Sequence, residues 1–207
     1  MNLMTIDQRR KKFNQGKYEL FVHNSTFNAL ISLFYESVIF QLKRQCVTFN
    51  SLLDIGSHRG QFTNVLKREL NIKEVECVDV SSISVEEGKK LYPDLKFHCV
   101  DVLNFKTDHK FDLVLSFNSL YYVTREERKT LIRKISTNFV NPKGYVLVGF
   151  GDANFTEGAD NVVKQLEVEF GIVNIIKVLE KIPVKSHDPQ FHSTMNMWYT
   201  SVLMRPK

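Results

Sequence analysis

From residue 51 onward the chain alternates short apolar runs with amphipathic stretches, and turn-forming residues separate them. Short apolar runs bounded by turn formers predict strands, and apolar positions recurring at i, i+3 and i+4 predict helices. On that pattern strands are expected over 51–55, 75–80, 95–100, 111–117 and 145–150. Helices are expected over 60–70, 85–91, 125–139 and 156–170. The unbroken apolar character of 111–117 fits a strand covered on both faces. Thr124 is placed to cap the helix that follows it, and Asn141-Pro142-Lys143-Gly144 reads as a turn. Two further strands, 175–184 and 198–204, have no helix between them, so they are expected to pair antiparallel across a loop over 185–196. Upstream, Phe27, Leu30, Ile31, Leu33, Phe34, Val38, Ile39 and Leu42 recur at helical spacing. They predict a helix to about Lys43, opened by Asn24, Ser25 or Thr26.

Repeated strand-helix alternation predicts an α/β fold: a doubly wound, Rossmann-like parallel sheet with helices on both faces. Ligands in such sheets bind outside the carboxyl ends of the strands, where the strand order switches. Residues 1–50 read as an arm and helix that pack on the core or close over the site, with Phe13, Tyr18, Phe21 and His23 available to a lid. Residues 51–207 read as the ligand-binding domain, the whole forming one compact unit.

The chemistry concentrates first in Leu52-Leu53-Asp54-Ile55-Gly56-Ser57-His58-Arg59-Gly60. A buried strand ends on an acid, turns through two glycines and enters a helix. The helix presents unpaired N–H groups and its positive dipole end to that turn, an arrangement suited to a carboxylate. The pattern is neither G-x-G-x-x-G nor a P-loop. It resembles motif I of the class I S-adenosylmethionine-dependent methyltransferases, D/E-x-G-x-G-x-G, with His58 at the middle glycine.

The likeness extends along the chain. Asp79 ends the second strand about 20 residues on, where an acid accepts hydrogen bonds from ribose hydroxyls, and Val80 follows it. Asp101 and Val102 end the third strand, matching the family's adenine-binding position. The run from Phe111 to Val123 is similar to the family's fourth motif. There Ser116, Phe117 and Asn118 would face the methionine and sulfonium portion, while Asp112, at the far end of the strand, is structural. Leu120-Tyr121-Tyr122 stands where small-molecule methyltransferases of the type 11/12 kind carry Leu-His-His or Leu-Tyr-Tyr, the latter also in nodulation-factor-type N-methyltransferases. Tyr121 or Tyr122 would then shape the acceptor pocket.

The resemblance therefore implies a seven-stranded sheet with an antiparallel last strand, S-adenosyl-L-methionine as cofactor, and methyl transfer to nitrogen or oxygen of a small molecule. Ser57, His58 and Gly60 join Asp54 and Gly56 in the expected cofactor turn. An amine acceptor needs only to arrive deprotonated, whereas a hydroxyl needs a base. His192 is the first candidate for that base, ahead of His187 and His23. The alternatives are an RNA or protein methyltransferase and a non-catalytic binding subunit of the same fold.

Composition narrows the field. The 207 residues are 43% hydrophobic and 25% charged, as in ordinary globular domains. The formal net charge of +5 is modest. Its aromatics do not interleave with arginines, so a nucleic-acid partner is not expected. No window reaches the ~18 apolar residues of a membrane span. Cys46, Cys77 and Cys99 lack C-x-x-C spacing, so no metal is expected. Cys77 and Cys99 lie in strand-like runs and read as buried free thiols of a cytoplasmic protein. A monomer and a homodimer both remain open.

Overall fold

The computed structural model describes residues 25–151, 158–185 and 192–207, with side chains over 34–120, 122–151, 158–179 and 198–207. Residues 1–24, and with them the expected arm and His23, lie outside the described residues, as does His187. The first described element is helix α1 (Ser25–Lys43). A β-α alternation follows: β1 (Ser51–Ile55), α2 (Gln61–Glu69), β2 (Glu74–Asp79), α3 (Ser82–Leu91), β3 (Lys96–Cys99) and β4 (Phe111–Phe117). After a 3₁₀ turn (Leu120–Tyr122) come α4 (Arg125–Lys134), a π-helical turn (Ile135–Phe139), β5 (Val140–Gly151), α5 (Ala159–Leu166), β6 (Phe170–Lys185) and β7 (His192–Pro206).

The strands form one seven-stranded sheet in the order β3-β2-β1-β4-β5-β7-β6. β1 to β5 pair parallel, while β7 runs antiparallel to both β5 and β6. Side chains alternate between two apolar layers because successive residues of a strand point to opposite faces. Leu52, Leu113, Leu115 and Leu147 pack with Phe34, Val38 and Leu42 of α1 and with Phe62 and Leu66 of α2. Leu53, Ile55, Val114, Val146 and Val148 pack with Leu131 and Ile132 of α4 and Val162 of α5. All five residues of β1 are buried, as a central strand covered on both faces requires.

Local chemistry sets several boundaries. Ser81 caps α3 by accepting from the Ser84 N–H. Thr124 and Glu127 form a reciprocal capping box that opens α4. The expected turn at 141–144 is instead part of β5. Val140 pairs with Phe111 and Tyr145 with Leu113, the register shifting between them, and the Asn141 amide donates to Asp112 Oδ1 at 2.9 Å. The helix expected over 156–170 is confined to Ala159–Leu166, because Phe170 is drawn into the sheet opposite Pro206. Cys77 is buried as expected, but Cys99, also expected buried, is exposed because β3 is an edge strand.

The last two strands are longer than their apolar patterns predict. β7 pairs with β5 only as far as Tyr199 opposite Gly151, yet it continues beside β6 to His192 opposite Lys185. The stretch from His192 to Trp198 therefore overhangs the carboxyl rim of the sheet, by roughly 20 Å at ~3.3 Å per residue. Only Thr194-Met195-Asn196-Met197 alternates there, a stretch too short to read as a strand by itself, and pairing with β6 extends it.

Candidate active site

The switch in strand order falls between β1 and β4, and the turn leaving β1 is built for close approach. Gly56, His58 and Gly60 all take positive φ (74°, 51° and 76°). The histidine thus occupies a left-handed conformation that glycine adopts without strain and that histidine tolerates better than most side chains. A Cβ on Gly56 would lie 2.6 Å from Cβ of Ser119, and one on Gly60 2.8 Å from the Phe97 ring. The turn is pinned by the Gly56 N–H donating to Val78 O at 2.8 Å and the His58 N–H donating to Asp79 Oδ2 at 2.8 Å. Gly60, the N-cap of α2, offers no side chain, so the first-turn N–H groups of α2 face the turn without a side-chain cap. Ser57 is buried, and its hydroxyl finds no oxygen or nitrogen partner among the described residues. The Cys77 thiol is within its reach.

Three acids gather at this rim. Asp54, 4% exposed, lies under the turn and accepts a hydrogen bond from the Thr63 hydroxyl of α2. Burial pushes its pKa up to about 7, the Thr63 bond opposing and neighbouring Asp79 adding to the rise. Asp79 ends β2 and accepts from the N–H groups of His58 and Ser81, both at 2.8 Å. Burial raises its pKa against those two bonds. His58 is held below its ordinary value, burial outweighing the pull of Asp79, so its ring is neutral at pH 7. Asp101 is buried and organises the loop after β3. Its Oδ1 accepts from the Leu103 N–H at 2.9 Å, and its carbonyl accepts from Asn104 and Phe105.

Gly56, Asp79, Val80, Asp101, Val102, Ser119 and Tyr122 line one crevice. Its enclosed volume is about 80 Å³, too small to enclose a nucleoside-sized ligand. A larger cavity of about 480 Å³ sits at the opposite rim, between Phe49, Asp112, Asn141 and Tyr145. Asp112 there accepts from the Asn50 and Ser51 N–H groups and the Asn141 amide. That carboxylate is spent on joining strand ends.

Of the remaining sequence candidates, Ser116, Phe117 and Asn118 lie around the crevice rather than in its lining, while Tyr122 lines it. Ser116 is fully buried, with its hydroxyl 2.6 Å from that of Ser119. Phe117 turns to the α1–α2 layer, its ring centroid 5.5 Å from Phe34 and 5.1 Å from Phe62. Asn118 is exposed at the rim with φ 50°, its N–H donating to Gly149 O at 2.8 Å. Tyr121 belongs to the 3₁₀ turn, with its side chain outside the described residues, while Tyr122 is half-buried at the crevice. His192, expected in a loop, opens β7 at the far end of the overhang, its side chain likewise outside the described residues. Sequence reasoning missed Thr63 and Ser119. Thr63 stands in the first turn of α2, where a hydroxyl can reach back to the strand-end acid. Ser119 becomes visible only when the β4 turn folds against Gly56.

These groups fit the cofactor that motif I implies. The Asp79 carboxylate stands at a strand end beside a glycine cradle, and the buried Ser57 hydroxyl lies in the same turn. Asp101 closes the other end of the crevice.

A family profile described as a methyltransferase domain matches residues 52–144. The chain is 28% identical over 162 residues to the malonyl-[acyl-carrier protein] O-methyltransferase of Priestia megaterium, covering 72% of this chain and 53% of that one. The chain spans about half the length of this relative. The N-methyltransferase NodS from Bradyrhizobium japonicum, crystallised with S-adenosyl-L-homocysteine, superposes with a TM-score of 0.67. It is 19% identical, with 94% of this chain and 99% of that chain covered. The [4+2]-cyclase SpnF superposes with a TM-score of 0.75 at 15% identity over 100% of this chain and 98% of that one. At these identities the structural likeness speaks for the fold alone.

Proposed function

We propose that the chain is a class I S-adenosylmethionine-dependent methyltransferase that methylates a nitrogen or oxygen atom of a small-molecule acceptor, a reading supported by the methyltransferase-domain match and the similarity to methyltransferases. The observation that carries this reading is the convergence of Gly56, Asp79 and Asp101 on one crevice outside the carboxyl ends of the strands. Asp79 holds the ribose hydroxyls, using lone pairs left after its two N–H bonds. Asp101 and Val102 receive the adenine. The turn from Gly56 to Gly60, the Ser57 hydroxyl and the first turn of α2 receive the amino-acid end.

When bound, the cofactor supplies a methyl group on a positively charged sulfur. The chain's own task is to hold donor and acceptor in line, which supplies much of the rate. The turn from Ser116 to Tyr122 borders that position, with Tyr122 facing the acceptor. The overhanging β6–β7 hairpin carries the backbone of His192 well past the rim, which favours acceptors that arrive with an exposed lone pair, an amine or a carboxylate. The Priestia relative named an O-methyltransferase and the NodS N-methyltransferase both accord with that class. Among the described residues no helix is long and apolar enough to cross a membrane.

Calorimetry with S-adenosylhomocysteine tests the reading. Micromolar binding is expected for the wild type, with at least a 30-fold loss in Asp79→Ala. Absence of binding at millimolar ligand would overturn it.

A further inference from the structure

The connection from β3 to β4 has no regular helix. It must cross from the sheet edge past β2 and β1, and its carbonyl groups therefore have no helical N–H partners. Buried carbonyls need donors from elsewhere, and one side chain of α4 supplies them. Lys134 Nζ donates to Phe105 O at 2.6 Å, Leu103 O at 2.8 Å and Val102 O at 3.1 Å. These three bonds use all three donors of the ammonium.

The same loop is held from its other side by Asp101, which takes the N–H groups of Leu103, Asn104 and Phe105. The Asp101 carboxylate takes the Leu103 N–H and its backbone carbonyl takes those of Asn104 and Phe105, while three loop carbonyls converge on the Lys134 ammonium, so the loop is held from both sides. Burial lowers the Lys134 pKa, while the charge of Asp101 opposes that shift. Lys134 is the last residue of α4, immediately before the π-helical turn Ile135–Phe139. Such turns recur at functional sites. Here the wide turn sets the end of α4 under the loop.

We propose that Lys134 is a positioning residue for cofactor recognition, fixing the loop that presents Asp101 and Val102 to the adenine end of the crevice. This rests on the methyltransferase reading above. Lys134 touches no ligand and acts through the loop. Its removal changes how well the crevice reads the exocyclic amine of adenine, not merely how stable the chain is.

The test compares two ligands by calorimetry: S-adenosylhomocysteine, and S-inosylhomocysteine, which carries a carbonyl oxygen where adenine carries its amine. In Lys134→Met, affinity for S-adenosylhomocysteine is expected to fall about tenfold. Affinity for the inosyl analogue is expected to fall less than about threefold, because Asp101 offers that ligand no favourable partner. Lys134→Arg, which keeps the charge and several donors, should restore discrimination to within about threefold. An equal loss for both ligands, or no loss for either, would overturn the proposal. Should Lys134→Met not fold, the order wild type, Lys134→Arg, Lys134→Gln in discrimination is read instead, and equal ratios across the three overturn it. A wild type that binds neither ligand counts against the methyltransferase reading itself.

Discussion

Asp54 makes the stability of this protein depend on pH in a direction opposite to most carboxylates. Its pKa rises from 3.8 to about 7 in the fold, chiefly through burial. Between those values the folded chain keeps a proton that the unfolded chain releases, so stability falls as pH rises through that window. The contribution is fully present near pH 4 and gone above pH 7. At ~1.36 kcal/mol for each tenfold change in proton affinity, ionising Asp54 costs on the order of 4 kcal/mol at pH 8. Asp79, also raised, acts in the same direction. His58, whose pKa is lowered, acts oppositely below about pH 6.5. Comparing the wild type with Asp54→Asn isolates the Asp54 share, since the amide has nearly the same shape and does not titrate. Urea denaturation at pH 5 and pH 8 measures it. Asp54→Asn should exceed wild type by about 1.5 kcal/mol at pH 5 and by about 4 kcal/mol at pH 8. Parallel pH profiles for the two proteins would refute the reasoning. Thr63→Val supplies the complement. It removes the one bond that favours the charged form, and should destabilise by about 1–3 kcal/mol at pH 8 and less at pH 5.

Three further outcomes follow from particular contacts. A Cβ on Gly149 would land within the Phe117 ring, so Gly149→Ala should cost about 1–3 kcal/mol in chemical denaturation, with partial recovery when Phe117→Leu is added. His58→Val should destabilise by about 1–2 kcal/mol, because a β-branched side chain is strained at φ 51°. His58→Gly should keep stability within about 0.5 kcal/mol, and a larger loss would show that the ring is needed for packing. Thr124→Ala, which opens the capping box, should lower stability by about 1 kcal/mol, read as a Tm decrease at fixed pH.

Much of the β-α framework is legible in the linear pattern because its central strands are apolar runs bounded by turn formers and covered on both faces. The stretch Leu52 to Ile55, for example, is buried on both faces and apolar but for Asp54. The acids Asp54, Asp79 and Asp101 are visible for a related reason: each interrupts or ends an apolar strand, where a charge needs a specific justification. What each acid touches is not local information. Asp54 bonds Thr63 across the turn, Asp101 faces Lys134 from the far end of α4, and Ser116 spends its hydroxyl on Ser119. These pairings depend on which strands become neighbours. The overhang of β6 and β7 is of the same kind. Its short alternation at 194–197 is too brief to define a strand, and the hydrogen-bond ladder between the two strands extends them past the rim. Periodicity records which side of an element faces the core, and that suffices to build the sheet. The shape of the crevice depends on hydrogen bonds between loops distant along the chain, which form only once the strands are aligned.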